Sequence, residues 1–85
     1  MNGWAVDWTP IAENQLADIW LQAPDRAAVT TAEEAISRML ARDPLGHGKE
    51  VSEGLWRLTV KPLTVFYVPD SVQGTVELQA VGYTP

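Results

Sequence analysis

Few residues in this chain are equipped for chemistry. Arg57 and Lys61 lie in the run Leu55-Trp56-Arg57-Leu58-Thr59-Val60-Lys61, where Trp56, Leu58 and Val60 alternate with Arg57, Thr59 and Lys61. A period of two is that of a strand with one face buried, so both cations fall on the wet face, where they can meet an anion. Alternation along the last apolar stretch, Thr75 to Tyr83, puts Tyr83 on that same face with a ring able to stack on a base or pack at an interface. Arg57, Lys61 and Tyr83 are therefore the catalytic candidates. His47 is the single histidine and its side-chain type suits proton transfer, but its place between Gly46 and Gly48 predicts an exposed, idle loop residue. With no cysteine and one histidine, disulfides, thiolate metal sites and histidine clusters are excluded, and no cofactor is expected. Glu13 and Asp18 are not on one helical line and Glu33 and Glu34 are adjacent, so neither pair forms a carboxylate dyad; both read as solvated faces.

The elements that position these residues are legible from pattern. Trp4, Val6 and Trp8 alternate with Ala5 and Asp7, a short first strand. Thr9-Pro10 supplies an N-cap and a first helical proline. Ala12, Leu16, Ile19, Trp20 and Ala23 then recur at helical spacing, while Asn14, Gln15, Asp18 and Gln22 face water. Pro24 ends that helix and Asp25 caps a second, whose stripe is Val29, Ala32, Ile36, Met39 and Leu40, with Glu34 and Arg38 an i, i+4 pair on the wet side. Asp43-Pro44 stops it, and Leu45 to Glu50 reads as a glycine-bracketed loop. The hairpin follows: Leu55 to Val60, a Lys61-Pro62 corner, and the β-branched, aromatic run Leu63 to Val68. Pro69 to Gly74 is turn chemistry, and the last strand carries Val76, Leu78 and Ala80 inward.

This order, β-α-α-β-β-β, predicts an α+β fold: a helical hairpin packed on one face of a mostly antiparallel four-stranded sheet. Residues 1–85 form a single domain with a small core, in which Leu16, Ile19, Trp20, Ile36, Met39, Trp56, Leu58 and Val65 meet. The other sheet face stays open and carries Arg57, Thr59, Lys61, Thr64, Phe66, Glu77, Gln79, Val81 and Tyr83. Phe66 and Val81 on that face, with Trp20 at the helical margin, are candidates for anchoring a target or partner. No apolar run approaches the roughly 20 residues of a membrane span and no leader is evident, so a cytoplasmic protein is expected. The net charge is -5, and residues 9–43 hold six acids against three bases whereas residues 54–85 hold two of each. The helices carry the excess; the sheet is neutral enough to keep a local basic site.

The opening strand followed by "WTPIAENQLADIW", the second helix ending at "DPLG", the "GLWRLTV…LTVFYV" hairpin and the closing "VELQAVGY" together resemble the RelE/ParE toxin superfamily of bacterial type II toxin-antitoxin modules over nearly the whole chain. The resemblance implies a plasmid-stabilisation-type toxin that binds a cellular target, such as DNA gyrase or the ribosome, and is neutralised by a cognate antitoxin. It also admits a homodimer. In the messenger-RNA-cleaving branch, cations on the open sheet face stabilise a pentavalent phosphate. Arg57 matches a hairpin cation of that branch. The third-strand arginine is replaced here by Thr64, and after Gly82 only Tyr83-Thr84-Pro85 follow, so the nuclease site is incomplete. The expectation is a binding toxin, with a reduced-site ribosome-dependent endonuclease or a degenerate toxin scaffold as alternatives. The acidic helices around Asp18, Glu33 and Glu34 ask for a partner segment that is neutral or basic there.

Overall fold

The computed structural model describes residues 3–85. In chain order it holds β1 (Ala5–Trp8), α1 (Pro10–Gln22), α2 (Arg26–Arg42), the single turn α3 (Pro44–His47), β2 (Lys49–Ser52), β3 (Leu55–Val60), β4 (Leu63–Asp70) and β5 (Thr75–Tyr83). The sheet runs β1-β5-β4-β3-β2, with β1 parallel to β5 and every other pair antiparallel. The first strand thus forms one edge of the sheet beside the last strand, β5, and α1 and α2 return the chain across one sheet face.

The helix boundaries follow from capping. The Thr9 hydroxyl accepts from the Ala12 N–H at 3.3 Å and itself donates to the Leu78 carbonyl at 2.7 Å, so one side chain starts α1 and ties it to β5. At the other end of α1 the Arg26 guanidinium donates to the carbonyls of Trp20 (3.0 Å) and Leu21 (2.9 Å), which have no intrahelical partner. Asp25 caps α2 through the Ala28 N–H at 3.1 Å, and Asp43 caps α3 through the Gly46 N–H at 3.0 Å. Two hairpin turns use glycines in the left-handed region, Gly54 at φ 79° and Gly74 at φ 70°.

Ala12, Val29, Ala32, Ile36 and Leu40 from the helices meet Leu58, Leu63, Val65, Tyr67, Val76, Leu78 and Val81 from the sheet in one core. Each large side chain removed from water there contributes roughly 1.5–3 kcal/mol. Trp56 lies on the helix side and Arg57 on the other, so the hairpin register expected from sequence holds. Trp8 also points to the helices, and its indole N–H donates to the Ser37 hydroxyl at 3.2 Å.

The structure corrects the sequence reading at several places. The sheet has five strands rather than four, because the stretch read as a loop folds into α3 and β2. β4 continues through Pro69 and Asp70. A bulge between Phe66 and Tyr67 of β4 and the facing stretch of β5 sets Tyr67 opposite Leu78 but Phe66 opposite Ala80. One extra residue in β5 flips every later side chain to the other face. Val81 is therefore inside, 6% exposed and opposite Val65, and Ala80 takes the open-face position beside Phe66. Tyr83 stands opposite buried Leu63, on the helix side. Gln15, expected to face water, turns its side-chain carbonyl to accept from the Val81 N–H at 2.8 Å. Trp20, expected in the core, is 40% exposed.

Tyr67 makes the deepest polar contact. It is fully buried and its hydroxyl donates to the Pro44 carbonyl at 2.6 Å, joining the central strand β4 to the α2–β2 connection. Burial, and secondarily the Asp43 carboxylate, push its pKa up to about 12. Gly48 permits the approach: a Cβ there would collide with the Tyr67 hydroxyl and lie 2.9 Å from the Arg57 carbonyl oxygen. Tyr67→Phe should lower stability by about 1–3 kcal/mol in a chemical melt, since it orphans a buried carbonyl. Gly48→Ala should cost more than a surface change, and the pair Gly48→Ala/Tyr67→Phe less than the sum, because the hydroxyl is the first atom the new methyl meets.

The same group sets an alkaline limit. The folded protein holds the Tyr67 proton to about pH 12, above the ordinary tyrosine value of 10.0. Its contribution is complete below the unfolded pKa and is lost as pH rises through the folded one. Unfolding free energy measured from pH 9 to pH 12 should fall in that upper window for the wild type, and more shallowly for Tyr67→Phe.

Candidate functional site

On the sheet face away from the helices, strand register defines two rows of side chains. The first runs Lys49–Arg57–Phe66–Ala80 across β2, β3, β4 and β5. Lys49 and Arg57 stand directly opposite each other, which sets their Cβ atoms about 5 Å apart, an arrangement of like charges that costs stability. The second row is Thr59–Thr64–Gly82, and its hydroxyls form a chain: Thr59 to Thr64 at 2.9 Å and Thr64 to Thr84 at 2.7 Å. The Thr84 N–H donates to the Pro62 carbonyl at 2.6 Å and so holds the end of this chain in place.

Together the rows offer two cations, three hydroxyls and one half-buried aromatic ring. This set can bind a phosphodiester: guanidinium and ammonium on non-bridging oxygens, hydroxyls as further donors, Phe66 under a base. It contains no carboxylate or imidazole to move a proton. Asp7 and Glu77, paired across β1 and β5, belong to the neighbouring row with Val68, and Glu77 accepts from the Gln79 amide.

The structure does not bring the three catalytic candidates together. Arg57 is on the open face; Lys61 is exposed in the hairpin turn, about 13 Å farther along the strand at 3.3 Å per residue. Tyr83 is on the opposite face, packed beside α1 in a pocket of about 240 Å³ with Asp18, Ile19, Gln22 and Ala23. Of the partner-anchoring candidates, Phe66 sits beside Arg57, Val81 is in the core, and Trp20 lines a cleft on the helical side. Lys49 was hidden from sequence reasoning because a four-residue strand rich in polar residues looks like loop. The available signal was Glu53-Gly54, a turn pair immediately before Leu55.

The helical cleft, about 510 Å³, is bounded by Leu16, Ala17, Trp20 and Leu21 of α1, Val29 and Thr30 of α2, and Trp8 of β1. Glu13 and Glu33 also line it. Burial, with the Glu34 charge adding, holds the Glu33 carboxyl above its usual range. The Arg26 guanidinium lies 4.7 Å from the Trp20 ring centroid, a cation–π contact closing the loop end.

A helical hairpin on one face of such a sheet is an architecture shared with solved structures. The chain of a RelBE2 toxin-antitoxin complex from Mycobacterium tuberculosis superimposes with TM-score 0.81 at 21% identity, over 98% of this chain and 93% of that one. A chain of the chromosomal ParDE toxin-antitoxin system of P. aeruginosa gives TM-score 0.74 at 18% identity, over 100% of both. TrmO from Pseudomonas aeruginosa gives 0.61 at 20% identity, over 94% of this chain but 33% of that one. In sequence, no family model and no curated protein matches. The fold is RelE/ParE-like, as the sequence resemblance implied.

The like-charge pair makes a direct expectation. Lys49→Gln or Arg57→Gln should raise stability by about 0.5 kcal/mol at low salt, with the gain fading by 0.5 M NaCl. A destabilisation by either change would mean that the two cations do not repel each other in the free protein.

Proposed function

We propose that this chain is the toxin component of a type II toxin-antitoxin module that acts in the cytoplasm by binding its target, and that a cognate antitoxin neutralises it. The observation carrying the reading is likeness to two toxin-antitoxin chains over essentially the full length. Binding is preferred to cutting because Thr64 stands where the resemblance to the messenger-RNA-cleaving branch implies an arginine, and Tyr83 is turned away from Arg57. Arg57, with Lys49 and Phe66, is the proposed target contact; Trp20 is the proposed antitoxin contact. Plasmid stabilisation is the biological role this reading implies.

A second reading, a ribosome-dependent endonuclease with a reduced site, draws support from the Lys49–Arg57 pair and the adjoining hydroxyl chain, which suit a phosphodiester. Lys61 would serve it only as an outlying phosphate contact.

Expression alone should arrest bacterial growth, and co-expression with the product of the adjoining reading frame should restore it through a complex that co-purifies. Arg57→Ala should relieve the arrest at least tenfold in survival while leaving that complex intact, about the 1.4 kcal/mol lost with one charged contact. Primer extension on cellular messenger RNA should show no codon-specific cuts; cuts abolished by Arg57→Ala would establish the endonuclease instead. No arrest and no complex would remove the toxin reading.

A further inference from the structure

The cleft between α1 and α2 has the size of a small-molecule site. Its volume of about 510 Å³ falls in the range of about 300–1,000 Å³ typical of ligand pockets, and Leu16 and Leu21 of α1 with Val29 of α2 give it apolar walls. Two indoles line it, Trp8 from the sheet and Trp20 from α1. The Trp8 ring is held by its hydrogen bond to the Ser37 hydroxyl, so this part of the wall is set before anything binds. The charged residues of the lining, Glu13 and Glu33, are both carboxylates. Arg26 is outside the lining, and its guanidinium donates to the Trp20 and Leu21 carbonyls.

We infer that this cleft binds a small organic cation, an aromatic or aliphatic body carrying one ammonium group, with the body between the indoles and leucines and the ammonium toward Glu13 and Glu33. The apolar walls take the body by removing its surface from water. Two features set the sign of the charge. An indole face attracts a cation through its quadrupole, and Trp20 already does so with the Arg26 guanidinium, 4.7 Å from its ring centroid. The carboxylates favour the same sign, and partial burial of Glu33, which holds its carboxyl above the usual range, leaves its attraction less screened than that of a surface charge. An anion of equal shape meets two carboxylates with no cation in the lining to offset them. A neutral ligand of that shape gains the apolar contact alone. The site goes beyond the toxin reading and rests on no part of it, since neither the open face nor the antitoxin enters the argument.

The test titrates the folded full chain with three probes of one shape, 4-phenylbutylamine, 4-phenylbutan-1-ol and 4-phenylbutyrate, and follows the indole N–H resonances by NMR. The amine should shift the Trp8 and Trp20 signals saturably while those of Trp4 and Trp56, which do not line the cleft, stay in place. It should bind about three- to tenfold more tightly than the alcohol, and the carboxylate more weakly than either. Glu13→Gln/Glu33→Gln should remove the preference for the amine over the alcohol and leave the binding of the alcohol unchanged. The comparison of the three probes on the wild type stands without any variant. No saturable shift, equal affinity for the three probes, shifts centred on Trp56, or a preference for the amine that survives the double glutamate change would each overturn the proposal. Growth arrest is not scored, so failure of the toxin reading leaves these outcomes unaltered.

Discussion

The hydrogen bond from Tyr67 to the Pro44 carbonyl is the constraint on which much of the arrangement depends. Tyr67 is in the central strand, fully buried, and its polar tip must be paired. The partner is the first residue of α3, two positions after α2 ends, so the connection leaving the helical layer is drawn onto the sheet at that point. Gly48 then passes against the ring, and β2 begins one residue later. Lys49 reaches its position opposite Arg57 because the preceding turn is pinned. A buried hydroxyl on the helix side thus fixes the charge pair on the other side.

The second constraint is the bulge facing Phe66 and Tyr67. Strict alternation along β5 would set Val81 and Tyr83 beside Arg57 on the open face. The bulge reverses them, filling the core with Val81 and moving the tyrosine ring to α1. What remains on the open face at that level is Ala80 and Gly82, so access to Arg57, Phe66 and the threonine hydroxyls is not covered by large side chains from β5. The Gln15 side chain satisfies the Val81 N–H beyond the end of β1, which lets the displaced strand end without an orphaned donor.

These two features separate what the sequence could show from what it could not. The caps at Thr9 and Asp25, the α2 stripe and the β3–β4 hairpin are local, each set by residues within a few positions, and all are as expected, whereas the α1 stripe loses Trp20 to the surface. The face of Arg57 followed from Trp56 and Leu58. The β5 bulge and strand β2 have no strong local pattern, because their positions are set by distant packing, Tyr67 on Pro44 and Val81 on Val65. The candidate site suffered most, since one inserted residue exchanged its C-terminal members and a polar edge strand contributed an unforeseen cation.

Net charge is a poor guide to what the open face binds. The chain carries -5, with its excess on the helices, which by itself disfavours a polyanion. At physiological ionic strength, however, the Debye length is about 8 Å, whereas the molecule measures 21 Å along its shortest axis, so exposed charges on opposite faces are more than a Debye length apart. An anion held between Lys49 and Arg57 is therefore governed by those two cations and the adjoining hydroxyls, with the acidic helices largely screened on the far side. The helices' charge acts where it is concentrated, in the α1–α2 cleft, where partial burial weakens screening. Opposite faces of one small sheet can thus prefer opposite charges, and the sheet between them allows a ligand on one face without a partner on the other being displaced by direct contact.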